Sequence, residues 1–224
     1  MTVEHAPAIT RIPGPVGPLE ALLTEPAKNI SPRAAVIFGH PHPKFGGTMH
    51  TKVVYHATKA FLRIGCAALR FNFRGVGAST GIWDGGQGEQ DDYRSAIDFM
   101  SNRYPNVELW TAGFSFGAWI ALKIGSTDPR VSTLIGISPP VDTKPEYDLS
   151  DVITSQKPIF LIHGAHDELI PLSSIWRFYG HLEEPKELAV IDSANHLFEG
   201  HVSEIGDTIE QLLGDFHTFN TNEH

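Results

Sequence analysis

The chain has 224 residues, 41% of them hydrophobic and 19% charged, which suits one domain spanning residues 1–224 with a substantial buried core. A formal net charge of −9 predicts no general attraction to nucleic acid or to an anionic membrane surface. The single cysteine, Cys66, excludes an intramolecular disulfide, and no run approaches the ~20 apolar residues of a membrane span or the pattern of a secretory leader, so a cytoplasmic protein is expected.

In chain order, the segment "GPVGPLEALLTEP" at residues 14–26 is too short and too rich in turn residues for a crossover unit, so residues 9–23 read as an antiparallel hairpin at a sheet edge. Short apolar runs then recur at residues 34–38 (AAVIF), 67–71 (AALRF), 107–111 (VELWT), 131–137 (VSTLIGI), 158–162 (PIFLI) and 188–191 (LAVI), as strands buried on both faces do. Proline-free stretches of helical composition fall at 51–63, 89–103, 116–124, 173–181 and 202–216. Such alternation implies right-handed crossovers and a mostly parallel α/β sheet with helices on both faces. Residues 139–157, with Pro139, Pro140 and Pro145, have room for only a loop or one short helix, hence a minimal cap. The tail "NTNEH" is expected to fray.

In sheets of this kind ligands bind beyond the strand C-termini, so the chemistry is sought there. "GFSFG" places Ser115 between a run that reads as a strand and one that reads as a helix, the setting of a nucleophile elbow. Gly113 and Gly117 would relieve the crowding of a sharp chain reversal, although a glycine-rich loop chosen only for tight packing reads the same way. The Phe116 N–H would begin the helix and face a developing oxyanion.

A serine nucleophile needs a base and an orienting acid. Asp167 follows the strand in "PIFLIHGAHDELIP", and His196 follows the strand in "ELAVIDSANHLFEG". Their chain order, Ser115, Asp167, His196, is the one an elbow-bearing sheet uses. Glu168 and Asp192 are the competing carboxylates, read more simply as solvated or capping groups. A second oxyanion donor is sought in "GHPHPKF", where Pro41 and Pro43 have no N–H and His42 is the donor between them.

The motifs "FGHPHPKFGG", "LRFNFRGVGASTG", "GFSFG", "HGAHDELIP" and "SANHLF", in this order over residues 31–216, resemble the α/β-hydrolase fold, in particular its small, nearly lidless esterase-like members related to dienelactone hydrolases. The resemblance implies Ser115 as nucleophile, His196 as general base and acid, and Asp167 as orienting carboxylate. The chain departs from dienelactone hydrolase in carrying Ser115 where that enzyme has a cysteine, and Cys66 lies at a helix-to-strand junction that suits core packing.

The expected function is therefore a serine carboxylesterase acting on small soluble esters without a cofactor. A lactonase, thioesterase or small peptidase is the alternative, as is a catalytically silent binding scaffold. Phe45, Phe114, Trp119 and Phe198 are candidate apolar walls of a shallow pocket. His40, His42 and His50 lack a carboxylate or cysteine to complete a metal-ligand spacing, so no metal is expected. His163 and His166 flank the acid loop as structural or pocket-lining residues. Arg70 and Arg74 would pair with Glu89 or another acid, or meet an anionic substrate, and "GEQDDYR" reads as a solvated first helical turn. A histidine base would make activity fall as pH drops through roughly 6 to 7.

Overall fold

The computed structural model describes residues 10–26 and 30–216. Its centre is an eight-stranded sheet in the order β1-β2-β4-β3-β5-β6-β7-β8. Strands β1 (Arg11–Ile12) and β2 (Leu19–Thr24) form an antiparallel hairpin at one edge, and β2 runs antiparallel to β4 (Ala67–Phe71). The remaining strands, β3 (Ala34–Gly39), β5 (Glu108–Phe114), β6 (Val131–Ile137), β7 (Ile159–Gly164) and β8 (Lys186–Ile191), pair in parallel. The hairpin is where the turn residues placed it; its first expected residue, Ile9, and the tail at 220–224 lie outside the described residues.

Alternating side chains divide each central strand between two cores. In β3, Ala35 and Ile37 join one apolar cluster while Ala34, Val36 and Phe38 join the other. Helices α1 (Lys52–Arg63) and α6 (Val202–Leu213) cover the Val36 and Phe38 face. The opposite face is covered by α2 (Gln87–Arg103), α3 (Phe116–Thr127), α4 (Ser150–Ile153) and α5 (Leu172–His181). Because both faces are covered, every residue of β3 is buried, the reason its sequence is a continuous apolar run rather than an alternating one. Helix α1 shows the complementary logic, burying Val53, Val54, Ala57, Ala60 and Phe61 at helical spacing.

Strand β5 continues to Phe114, three residues past its expected end, because its ladders with β3 and β6 persist to Gly113 and Phe114. The connection from β6 to β7 holds only the four-residue α4, so among the described residues no lid covers the C-terminal edge of the sheet.

One sequence expectation is corrected in α2. Its first turn is not solvated throughout: Glu89 and Asp92 are fully buried. Glu89 accepts the backbone N–H groups of Asp84 and Gly86, and Asp92 accepts the Arg74 guanidinium at 2.8 Å. Arg74 thus pairs with Asp92 rather than Glu89. Burial of these acids is tolerable because each oxygen finds a donor. Tyr93, one residue on, reaches both β3 and β5, its hydroxyl within hydrogen-bond distance of the Ile37 and Ala112 carbonyls.

Candidate active site

Ser115 joins β5 to α3 with φ 53° and ψ −119°, a backbone conformation that L-residues rarely hold. The strain is over-determined by close backbone approach on both sides. A Cβ at Gly113 would overlap the Gly117 carbonyl oxygen, and a Cβ at Gly117 would overlap the carbonyls of Gly39 and His40. The two glycines are thus required by contact between the turn, the start of α3 and the end of β3. The Ser115 N–H is held by the Ile137 carbonyl at 2.9 Å.

Above this turn the loops after β7 and β8 converge. Ser115 Oγ lies 3.0 Å from His196 Nε2, and His196 Nδ1 lies 2.8 Å from Asp167 Oδ2. An ionised carboxylate can only accept, so Nδ1 carries the proton and Nε2 is left to accept the Ser115 hydroxyl. The other Asp167 oxygen accepts the N–H groups of Leu169 and Ile170 at 3.0 and 2.8 Å. Burial by itself would raise the Asp167 pKa, but the His196 hydrogen bond and charge, the Ile170 N–H and the nearby His163 outweigh it, and the carboxyl is held below its ordinary value.

Glu168 does not compete for the imidazole: it accepts the backbone N–H of His196 at 3.1 Å and so ties the β7 and β8 loops together. Asp192 is exposed on the β8 loop. His163 is fully buried, its Nε2 2.9 Å from the Ile170 carbonyl and 3.7 Å from Asp167 Oδ2. His166 is exposed.

The loop after β3 turns through a short 3-10 segment, Pro43–Phe45, that starts at His42. The His42 ring packs among those of Phe45 (4.7 Å), Trp83 (4.7 Å) and Phe116 (5.1 Å). Phe116 opens α3, so its N–H has no intrahelical acceptor.

A family model described as serine aminopeptidase S33 matches residues 30–155, more than half of the chain. The chain is 34% identical over 206 residues to an uncharacterized protein of Rickettsia prowazekii, covering 89% of this chain and 86% of that one. Among solved structures it resembles an alpha-beta serine hydrolase homologue from Coxiella burnetii, at 37% identity and a TM-score of 0.84 over 91% of this chain and 95% of that one. It also resembles a lidless α/β serine hydrolase from Xanthomonas campestris, at 32% identity and a TM-score of 0.82 over 92% and 93% of the two chains. The chain belongs to the α/β serine hydrolases.

Four aromatic residues were expected to wall the pocket of this hydrolase, and the structure sorts them. Phe45 is 84% exposed and stands at the rim, while Phe114 and Phe198 are fully buried. Phe114 backs the His196 ring at 5.2 Å and contacts Phe198 at 6.1 Å. Both act as floor rather than wall, because they sit beneath the imidazole in the α1–α6 core. Trp119, 3% exposed, is likewise core: its ring meets Phe116 and Tyr147, and its N–H donates to the Asp148 carbonyl.

Trp83 and Tyr147 were not singled out, yet both rings lie against Phe116, at 5.3 and 6.3 Å. The usable signal for Trp83 was its place in a glycine-rich loop following a strand. Tyr147 also lines an open cleft of about 490 Å³ with Val141, Leu149, Ile153 and Phe178.

Away from Ser115, Arg70 donates to the Met49 carbonyl and lies over the Tyr55 ring. Cys66 is buried, and desolvation raises its pKa to about 11, leaving an inert thiol. Among the described residues no helix is long and apolar enough to cross a membrane.

Proposed function

We propose that this α/β-hydrolase cleaves small soluble carboxylic esters through an acyl-enzyme on Ser115. The observation that carries the reading is the unbroken hydrogen-bonded chain from Ser115 Oγ through His196 to Asp167, set on a strained turn. His196 Nε2 takes the hydroxyl proton as Oγ attacks the acyl carbonyl, and Asp167 holds the imidazolium that results. The Phe116 N–H, at the positive end of α3, and the His42 N–H receive the oxyanion. His196 then passes its proton to the leaving alcohol, and a water deprotonated by the same imidazole releases the acid. The short β6–β7 connection and the partial exposure of Ser115 favour small substrates that need no interfacial opening.

The test pairs fluorophosphonate labelling of the wild type and Ser115→Ala with p-nitrophenyl esters of increasing chain length. Expected are labelling that disappears in Ser115→Ala and a kcat reduced by about 10⁴-fold or more in that variant. Amino-acid p-nitroanilides, the amide counterpart that the matching family's description suggests, serve as the competing substrate class. Faster turnover of those amides than of short esters overturns the ester assignment, and a folded wild type that does not label overturns the hydrolytic reading in favour of a binding scaffold.

A further inference from the structure

Beneath the His42 loop lies a buried imidazole that the steps above do not use. His40 ends the exit of β3 with no solvent exposure, and both its ring nitrogens are engaged. The Phe73 backbone N–H donates to Nε2 at 3.1 Å, and Nδ1 lies 2.6 Å from the Pro41 carbonyl oxygen. A peptide N–H can only donate and a carbonyl can only accept, so Nε2 is unprotonated and Nδ1–H is the donor to Pro41. Desolvation supports this neutral form, lowering the His40 pKa to about 4.

The Pro41 carbonyl and the His42 N–H belong to one trans peptide and therefore point to opposite sides of the chain. Whatever holds the carbonyl sets the direction of the N–H. Gly47 confines the same peptide from another side: a Cβ there would overlap the Pro41 carbonyl, and the Gly47 N–H donates to the His42 carbonyl at 3.2 Å. The His40 carbonyl in turn touches Gly117 in the first turn of α3, so the clamped peptide is registered against the helix that carries the Phe116 N–H.

We propose that His40 is a positioning residue for the oxyanion hole: by linking the Phe73 N–H to the Pro41 carbonyl, its Nδ1–H form aims the His42 N–H at the substrate oxygen. The proposal rests on the serine-hydrolase reading of Ser115. His40 touches no substrate. Its loss leaves the acid, base and nucleophile in place but frees the Pro41–His42 peptide to turn, which removes an interaction made in the transition state and not in the ground state.

Two amide substitutions separate the two bonds. His40→Asn places an N–H donor where Nδ1 stands and leaves the Phe73 N–H without its acceptor. His40→Gln reaches the Nε2 position, accepts from Phe73 and abandons the Pro41 carbonyl. kcat and KM for p-nitrophenyl acetate, inhibition by an alkyl trifluoromethyl ketone as a tetrahedral mimic, and urea midpoints are measured for both.

Expected for His40→Gln is a kcat lowered roughly ten- to a hundredfold with little change in KM, part of the 10²–10³-fold cost of deleting an oxyanion donor outright. The trifluoromethyl ketone weakens by the same factor, and His40→Asn recovers most of both. A loss confined to KM, losses that track the urea midpoint, or a Gln variant as active as the Asn variant overturns the proposal. If neither variant folds, ¹⁵N spectra of the wild-type imidazoles decide: a slowly exchanging Nδ1–H on His40 supports the clamp, and a proton on Nε2 overturns it. A wild type that fails to acylate Ser115 defeats the underlying reading instead, while the same spectra still test the clamp.

Discussion

Two adjacent carboxylates, Asp167 and Glu168, both contact His196, and the atom each touches separates their roles. Asp167 meets the ring at Nδ1, whereas Glu168 meets only the backbone N–H. Asp167→Asn is therefore expected to lower kcat by roughly 10⁴, since an amide can stabilise the wrong imidazole tautomer, as the analogous change does in the serine-protease triad. Glu168→Gln keeps an acceptor for the N–H and is expected to cost far less; equal losses in the two variants would show that the ring contact is not what matters.

Buried His40 makes a separate statement about stability. Its folded pKa, about 4, lies below its ordinary value of 6.5, so between these pH values the unfolded chain binds a proton that the folded chain does not. The corresponding stability is whole above pH 6.5 and drains away as pH falls toward 4, with a slope of up to about 1.4 kcal/mol per pH unit. His163, whose pKa is also lowered by burial, adds with the same sign. Urea midpoints measured across this window are expected to fall less steeply in His40→Asn than in the wild type; parallel slopes would mean that His40 does not titrate on unfolding.

At the level of elements, the order of the loop from β4 to α2 depends on buried charge. Asp92 accepts from both the backbone N–H and the guanidinium of Arg74, and Glu89 holds the N–H groups of Asp84 and Gly86. Between these anchors the chain carries Trp83 to the ring cluster of His42 and Phe116. Removing one partner strands the other as an uncompensated charge, so Asp92→Ala is expected to destabilise the protein by about 3–5 kcal/mol in urea unfolding. Replacing Arg74 and Asp92 together by apolar residues of similar volume is expected to cost much less, and a double variant as unstable as the single one would contradict this account.

At the level of the whole molecule, the parallel strands end on one edge, and the segments after β5, β7 and β8 bring Ser115, Asp167 and His196 together there. The same edge carries the exposed side chains Phe45, Ile82, Leu169 and Leu197, each on a loop that follows a strand. With only α4 between β6 and β7, nothing among the described residues closes over Ser115 to enclose a long acyl chain. The ratio kcat/KM is expected to be highest for acetyl or butyryl p-nitrophenyl esters and to decline for longer chains. A steady rise to octanoyl or beyond would mean that the apolar rim extends the binding surface.

The strands and helices were legible in the sequence because their signals are local. A doubly covered strand must be an apolar run, and helices α1 and α6 carry their buried residues at helical spacing. The glycines around Ser115 and the order Ser115, Asp167, His196 were legible for the same reason, each motif being short and tied to a strand end. What the tertiary structure alone decided was partnership. Nothing near Asp92 in the chain announces that Arg74 neutralises it, and nothing in "GHPHPKF" says that His40 is sealed against Phe73 while His42 joins a ring cluster. The four aromatic candidates divided between rim and core for one physical reason: periodicity assigns a side chain to a face, but its burial depends on which distant segment packs against that face.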